Sequence, residues 1–293
     1  MGSLSRVLLR LTAWLILVSV GAVVLMVFVL GGQAIEPIRA EIGEPPTRLG
    51  GEIVRLSDPD VPELVGWAGE APNPCGALVL VHGRGHDRRQ MLSYAEMFKD
   101  EGFSVSLFDL RANGESGGEI RGFGFHEGRD VTRMILDARD RWPGLRLGAV
   151  GVSLGAASLT MGDPEAQADS YVLELLYSDL VETTATRVWL PFAKRFQAQL
   201  MLLQTPVRMG HWADELRPVD RSGELRGPLL LLAAGADPWA TPAQSEDLYA
   251  AASEPKELVW FDGAEHDILL KQDRRKYIET VVPFLKDTLC DGG

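Results

Sequence analysis

Short apolar runs alternate with stretches of helical period along most of this chain, and few architectures accommodate that rhythm. Residues 76–81 (GALVLV), 104–108 (SVSLF), 146–150 (RLGAV), 171–176 (YVLELL), 229–233 (LLLLA) and 257–261 (ELVWF) read as strands. They are too continuously apolar for a sheet with one wet face, so they are expected to be buried on both. Between them, Met91, Ala95 and Phe98 share one helical face, and Val131, Met134, Ile135 and Ala138 share another. Strands alternating with helices require crossover connections, hence a mostly parallel sheet covered on both faces. Residues 51–56 and 63–67 precede the first crossover and are expected to form an antiparallel edge hairpin. No internal repeat is visible, and residues 49–293 read as one α/β domain.

A second feature lies ahead of that domain. Residues 11–30 (LTAWLILVSVGAVVLMVFVL) carry no charge over 20 positions. As a helix they span about 30 Å, the thickness of a bilayer's hydrocarbon core. A buried helix of a soluble fold normally keeps a polar face, and this run has none. Gly32-Gln33-Ala34 is a passable cleavage site for a signal peptide, but the apolar core exceeds the usual 7–15 residues, which favours a retained anchor over residues 1–34. Arg6 and Arg10 precede the run closely, whereas Arg39 and Arg48 follow at a distance. This bias places the N-terminus in the cytoplasm and the body outside the membrane, either tethered or, were the signal cleaved, secreted. Residues 35–48 hold three prolines and no apolar periodicity, and read as an extended linker.

Composition narrows the function. The chain has 41 acidic and 29 basic residues among 293, a net charge of −12. Such a surface repels phosphate backbones, which argues against a nucleic-acid partner. Cys75 and Cys290 lack metal-site spacing, and a disulfide between them would be peripheral. About 50 residues separate the strands near Leu176 and Leu229, far more than a crossover needs. Within this insertion, placed at about 178–225, Val188-Trp189-Leu190, Phe192, Phe196, Leu200, Met201 and Leu203 supply unusual apolar surface. It forms either helices covering the sheet or a small cap over the strand ends.

The chemistry centres on Gly151-Val152-Ser153-Leu154-Gly155, directly after the strand RLGAV and ahead of a small-residue helix start. A serine on a sharp strand–turn–helix elbow needs neighbours without side chains, which the glycines provide. A nucleophilic serine also needs a base, and the base an orienting acid. Asp237 follows the strand LLLLA, and His266 lies beyond ELVWF, so Ser153, Asp237 and His266 stand in order at strand ends facing one crevice. Asp179 is the alternative acid, but it is positioned to cap a helix of the insertion. His126 lies out of order, and it and His211 read as exposed loop or helix-end groups. In His82-Gly83-Arg84-Gly85, the Arg84 N–H (or that of Gly85) and the N–H of Leu154 are expected to receive an oxyanion. His82 reads as a structural residue, and Arg84, Arg88 and Arg89 as a solvated basic turn.

Taken together, HGRG, FDLRANGESGG, GVSLGA, GADPW and GAEHD resemble the serial motifs of α/β-hydrolase fold serine hydrolases, nearest the serine-aminopeptidase-like and monoacylglycerol-lipase-like branch. The resemblance covers residues 50–288. That branch reads D-x-R-G-x-G-x-S where this chain has Ala112 in place of one glycine. It implies serine-hydrolase machinery working through an acyl-enzyme, with no metal or organic cofactor, and leaves the substrate open; a small-molecule or lipid-like acyl ester is the expected substrate. Peptidase, thioesterase and acyltransferase chemistry run on the same machinery. A membrane-anchored binding protein without activity is the reading from another class.

Overall fold

A computed structural model describes residues 3–59, 61–188 and 191–290; Trp189 and Leu190, counted above in the insertion, lie outside them. Eight strands form one sheet: β1 (Glu52–Asp58), β2 (Val61–Gly69), β3 (Gly76–Val81), β4 (Phe103–Phe108), β5 (Leu147–Val152), β6 (Ser170–Glu174), β7 (Leu229–Ala234) and β8 (Lys256–Phe261). Their spatial order is β8-β7-β6-β5-β3-β4-β2-β1. The hairpin β1–β2 is antiparallel and joins β4 antiparallel, while every other pairing is parallel.

Strand alternation divides the core into two layers. On β3, Ala77, Val79 and Val81 face a cluster built with Val131, Met134, Ile135 and Ala138 of α3 (Phe125–Arg141). The small residues of α4 (Leu154–Thr160) and Leu248 of α8 (Pro242–Ala251, labelled in chain order) complete that layer. Leu78 and Leu80 point the other way, onto Tyr94, Ala95 and Phe98 of α2 (Leu92–Asp100) and Tyr277, Val281 and Leu285 of α9 (Arg274–Leu289). Each such buried Leu or Val contributes about 1.5–3 kcal/mol, which is why strands buried on both faces read as unbroken apolar runs.

The N-terminal helix α1 (Ser3–Ile35) runs past the apolar stretch and ends against the insertion. There three helices, α5 (Leu180–Ala185), α6 (Lys194–Leu202) and α7 (Thr205–Met209), build their own small core. Ile35 of α1 shares it with Leu180, Val181, Ala198, Leu202 and Met209. The insertion is therefore not simply a helix pair laid on the sheet: Phe192, Phe196, Leu200 and Leu203 stay exposed.

Residues 35–48 differ from the expected free linker. Ile38–Arg39 pairs in parallel with Asn113–Gly114, with Ile38 N–H donating to Ala112 O at 2.8 Å and Ala40 N–H to Gly114 O at 3.2 Å. The Arg39 guanidinium holds the carbonyls of Ser116 and Gly118. Glu115 Oε1 accepts the N–H groups of Ile42 and Gly43, each at 3.1 Å, and Trp67 Nε1 donates to Gly43 O at 2.9 Å. The segment is a strap bonded to the 109–118 loop. Its partners in that loop lie more than seventy positions away, where local periodicity carries no trace of them.

The end of α1 is held in the same way. A helix C-terminus leaves carbonyls without intrahelical donors and favours positive charge. Arg84 Nη2 donates to Ala34 O at 3.0 Å, Arg121 Nε to Glu36 O at 2.7 Å, and Arg208 Nη2 to Phe28 O at 2.8 Å. Cys75, just before β3, is disulfide-bonded to Cys290 at the end of α9, with Cα atoms 4.9 Å apart. The bridge sits at the N-terminal ends of the parallel strands, away from the end where Ser153 emerges.

Candidate active site

Ser153 lies between β5 and α4 with φ 52° and ψ −107°, a left-handed conformation that costs an L-residue roughly 1–2 kcal/mol. The surroundings enforce it. Ser153 N–H donates to Glu174 O at 2.8 Å, and its carbonyl accepts Ala157 N–H at 3.0 Å. A Cβ on Gly155 would stand 2.3 Å from Val81 O, and one on Gly151 2.7 Å from Ala156 N. Only glycine lets helix, elbow and strand approach this closely.

The structure brings the three expected side chains into one chain of hydrogen bonds. His266 Nε2 is 2.9 Å from Ser153 Oγ, and His266 Nδ1 is 2.6 Å from Asp237 Oδ2. The carboxylate only accepts, so Nδ1 carries the proton and Nε2 is left as the acceptor facing the serine hydroxyl. Asp237 Oδ1 accepts the N–H groups of Trp239 at 2.7 Å and Ala240 at 2.9 Å, which fixes the carboxylate plane. The Trp239 ring stands edge-on to His266 with centroids 5.0 Å apart. A cavity of about 410 Å³ opens at Ser153 and His266, lined also by Gly83, Arg84, Leu175 and Arg187. Leu154 is the first residue of α4, so its N–H is among the donors a helix leaves unpaired.

The alternatives sit elsewhere. Asp179 caps α5, accepting from Val181 N–H at 2.6 Å and Glu182 N–H at 3.0 Å, and pairs with Arg217. His126 reaches Met209 O from its Nε2 at 2.9 Å, and His211 stacks on Phe125 with centroids 3.4 Å apart. His82 is a structural residue: Leu110 N–H donates to its Nε2 at 3.0 Å, and Nδ1 lies 2.8 Å from Gly83 O. Full burial lowers its pKa to about 4, so it stays neutral.

The expected solvated basic turn is corrected by the structure. Arg88 is completely buried, ion-paired to Asp109 and Glu115 and lying 4.7 Å from the Trp67 ring centroid. A charge with that many satisfied donors is a scaffold for the loop behind the site. Arg89 is exposed and pairs with Asp87, and the guanidinium of Arg84 faces α1. Two polar groups escaped the sequence reading. Glu174, the lone acid in YVLELL, is buried and accepts from Tyr94 Oη at 2.8 Å and Tyr277 Oη at 2.5 Å. An isolated carboxyl inside an apolar strand is the signal that marks it. Arg187 lines the Ser153 cavity, and nothing in its local sequence sets it apart.

An eight-stranded sheet in this order, with a serine at a glycine-flanked elbow after its fifth strand, defines an α/β-hydrolase. Comparisons with known proteins agree. The model of the family "serine aminopeptidase, S33" matches residues 72–173. The uncharacterised protein YqkD of Bacillus subtilis is 26% identical over 231 residues, covering 74% of this chain and 72% of its own. An uncharacterised protein of Mycobacterium tuberculosis is 27% identical over 252 residues, covering 83% and 82%. Among solved structures, the Pyrococcus furiosus esterase Pf2001 superposes with a TM-score of 0.71 at 22% identity, covering 86% of this chain and 99% of that one. The acylaminoacyl peptidase of Pyrococcus horikoshii gives 0.63 at 16% identity, over 83% of this chain and 42% of that one. The chain has the α/β-hydrolase fold, and its residues 72–173 are similar to the serine aminopeptidase family.

Proposed function

We propose that this protein is a membrane-anchored serine hydrolase that cleaves carboxylic ester bonds through an acyl-enzyme. The observation that carries the reading is the unbroken Asp237–His266–Ser153 hydrogen-bond chain at a strained elbow. Ser153 Oγ attacks the acyl carbonyl carbon while His266 Nε2 takes its proton. Asp237 holds the imidazole tautomer and balances the imidazolium. The oxyanion accepts from the N–H groups of Leu154 and Arg84, each such donor contributing about 2.7–4 kcal/mol to the transition state. His266 then protonates the leaving alcohol, and a water molecule, deprotonated by the same nitrogen, releases the acid.

Membrane attachment rests on α1. Its span from Arg6 to Ile35 has a mean hydropathy of 2.8, and its apolar window is not buried against the body. Ile35 completes the core of the insertion, and the carbonyls of Ala34 and Glu36 are held by Arg84 and Arg121. Cleavage after Ala34 would remove the carbonyls of Ala34, Gln33 and Phe28 that Arg84, Arg121 and Arg208 hold, which favours the anchor over a signal peptide. The positive-inside bias and the Cys75–Cys290 disulfide both suit a body on the extracytoplasmic side. A fluorophosphonate probe tests the assignment: it labels Ser153 in the parent and leaves Ser153→Ala unlabelled and inactive on p-nitrophenyl butyrate. Equal hydrolysis by both proteins would refute it.

A further inference from the structure

Outside α1, the described residues expose nine large apolar side chains, and six of these, Phe192, Phe196, Leu200, Leu203, Val207 and Trp212, lie on the insertion. A concentration of apolar surface on one small subdomain marks an interaction face. Here that subdomain packs directly on the membrane helix, α6 against α1, so the bilayer that receives α1 is the surface this face meets.

Three neighbouring spaces with shared lining residues lie between that face and Ser153. An apolar groove of about 320 Å³ runs between α1 and α6, walled by Val23, Val27 and Leu200 among others. It shares Leu30, Arg187, Val188 and Met201 with a cavity of about 150 Å³ under the last turns of α1. That cavity shares Arg84 and Arg187 with the Ser153 chamber. The outer groove is walled mainly by apolar side chains, and Arg187 lines all three spaces.

Arg84 and Arg187, like Arg121, which donates only to carbonyls, differ from the arginines that are matched by acids. Arg88 is matched by Asp109 and Glu115, Arg111 by Asp130, and Arg217 by Asp179 and Asp220. Among the described residues, Arg187 forms no ion pair and no side-chain hydrogen bond; its partner is the Trp239 ring, 4.5 Å from Cζ to centroid. Arg84 spends one donor on Ala34 O and has no carboxylate partner among the described residues; its Nε, like that of Arg88, is buried without a hydrogen bond. Burial pulls both guanidinium pKa values below their ordinary range, and in Arg187 the charge of Arg84 adds to the effect. Asp237, the acid whose charge reaches Arg187, is committed to His266. Two like charges at the mouth of a chamber, without a carboxylate between them, form a site for an anion. A phosphomonoester, at about −1.5 to −2, matches the pair better than a carboxylate.

We infer that the substrate is an acyl ester of a phosphate-bearing amphiphile, taken laterally from the bilayer; the inference rests on the serine-hydrolase reading above. The acyl chain lies in the groove between α1 and α6, the ester carbonyl reaches Ser153, and the phosphate sits on Arg187 with Arg84 behind it. Water adds across the acyl C–O bond, releasing a fatty acid and the phosphorylated alcohol.

The test compares 1-oleoyl-lysophosphatidate with 1-oleoylglycerol, which share the ester and the chain and differ in the phosphate. With the full-length protein in neutral detergent micelles, kcat/KM is expected to favour the phosphate by tenfold or more. Arg187→Gln is expected to erase that preference, mainly through KM, while Arg187→Lys keeps part of it; thermal unfolding of each variant reports that it is folded. Equal kcat/KM for the two esters in the parent, or a preference that survives Arg187→Gln, overturns the inference. If fluorophosphonate also fails to label Ser153 and neither ester is cleaved, the hydrolase reading falls with it. If labelling and p-nitrophenyl butyrate hydrolysis persist without head-group preference, only the substrate assignment falls.

Discussion

Glu174→Gln should remove one defined component of the protein's pH-dependent stability. Glu174 ends β6 fully buried, and burial raises its pKa to about 7 against the pull of the Tyr277 and Tyr94 hydroxyls. In the unfolded chain the same carboxyl titrates near 4.5. The folded state therefore holds a proton that the unfolded state has released between these values. Stability from this group is fully present below pH 4.5 and is lost as pH rises through 7. A shift of this size corresponds to about 3 kcal/mol, or roughly 6–12 °C in Tm for a domain of this size. Glutamine keeps the shape of the neutral acid and cannot ionise. The assay is thermal unfolding of the full-length parent and variant in detergent micelles, followed by tryptophan fluorescence from pH 4.5 to 8.5. His82 works in the opposite direction, its contribution being lost as pH falls from 6.5 to about 4, but both proteins share it and it cancels in the difference. The expected result is a Tm difference that moves by roughly 6–12 °C against the parent across the range. Parallel curves would refute the reasoning, because they would mean that Glu174 carries the same charge folded and unfolded.

Other outcomes follow from the same geometry. Ser153→Ala, His266→Ala and the double variant should show nearly equal residual kcat, since groups acting as a unit are not additive, whereas Asp179→Asn and His126→Ala should change kcat little; independent multiplication of the defects points to another base. Gly155→Ala places a Cβ 2.3 Å from a backbone carbonyl, and should cost several kcal/mol in stability or displace the elbow, read as lost fluorophosphonate labelling. Reducing the Cys75–Cys290 bridge, which closes a separation of 215 residues, should lower stability by at most about 5 kcal/mol and leave ester hydrolysis intact. Protease added to intact spheroplasts should digest the body; full protection until the membrane is permeabilised reverses the topology.

What the sequence reveals, and what it hides, divides by the range of the interaction. Strands buried on both faces leave a local trace, so the expected runs agree with β3 to β8 to within two residues at each end. The elbow is legible because its steric demand falls on adjacent positions, Gly151 and Gly155. Ala112 shows the limit of motif reading. It stands where the related pattern has glycine, and it keeps φ 57°, because the loop is held from outside: Ala112 N–H donates to Gly117 O and its carbonyl accepts Ile38 N–H. The strap and the burial of Arg88 are invisible for the same reason, since every partner lies far away in the chain. A charged residue in a loop reads as solvated unless its matching acids can be seen.

The accounting of arginines links the anchor to the site. A buried guanidinium is stable only where its donors are met. Around the end of α1 carbonyls meet part of that need: Ala34 accepts from Arg84, Gln33 and Glu36 from Arg121, and Phe28 from Arg208. These bonds suit the negative end of the helix dipole, and they join α1 to the loop that carries the proposed oxyanion donor and to the insertion. A free linker of 14 residues would let the body swing by tens of ångströms. The strap and these bonds remove that freedom, so the groove between α1 and α6 keeps one position relative to α1. The proposed lateral entry of a lipid ester depends on that fixed position, which Arg39 supplies through the strap and Arg84 and Arg121 through their bonds at the end of α1.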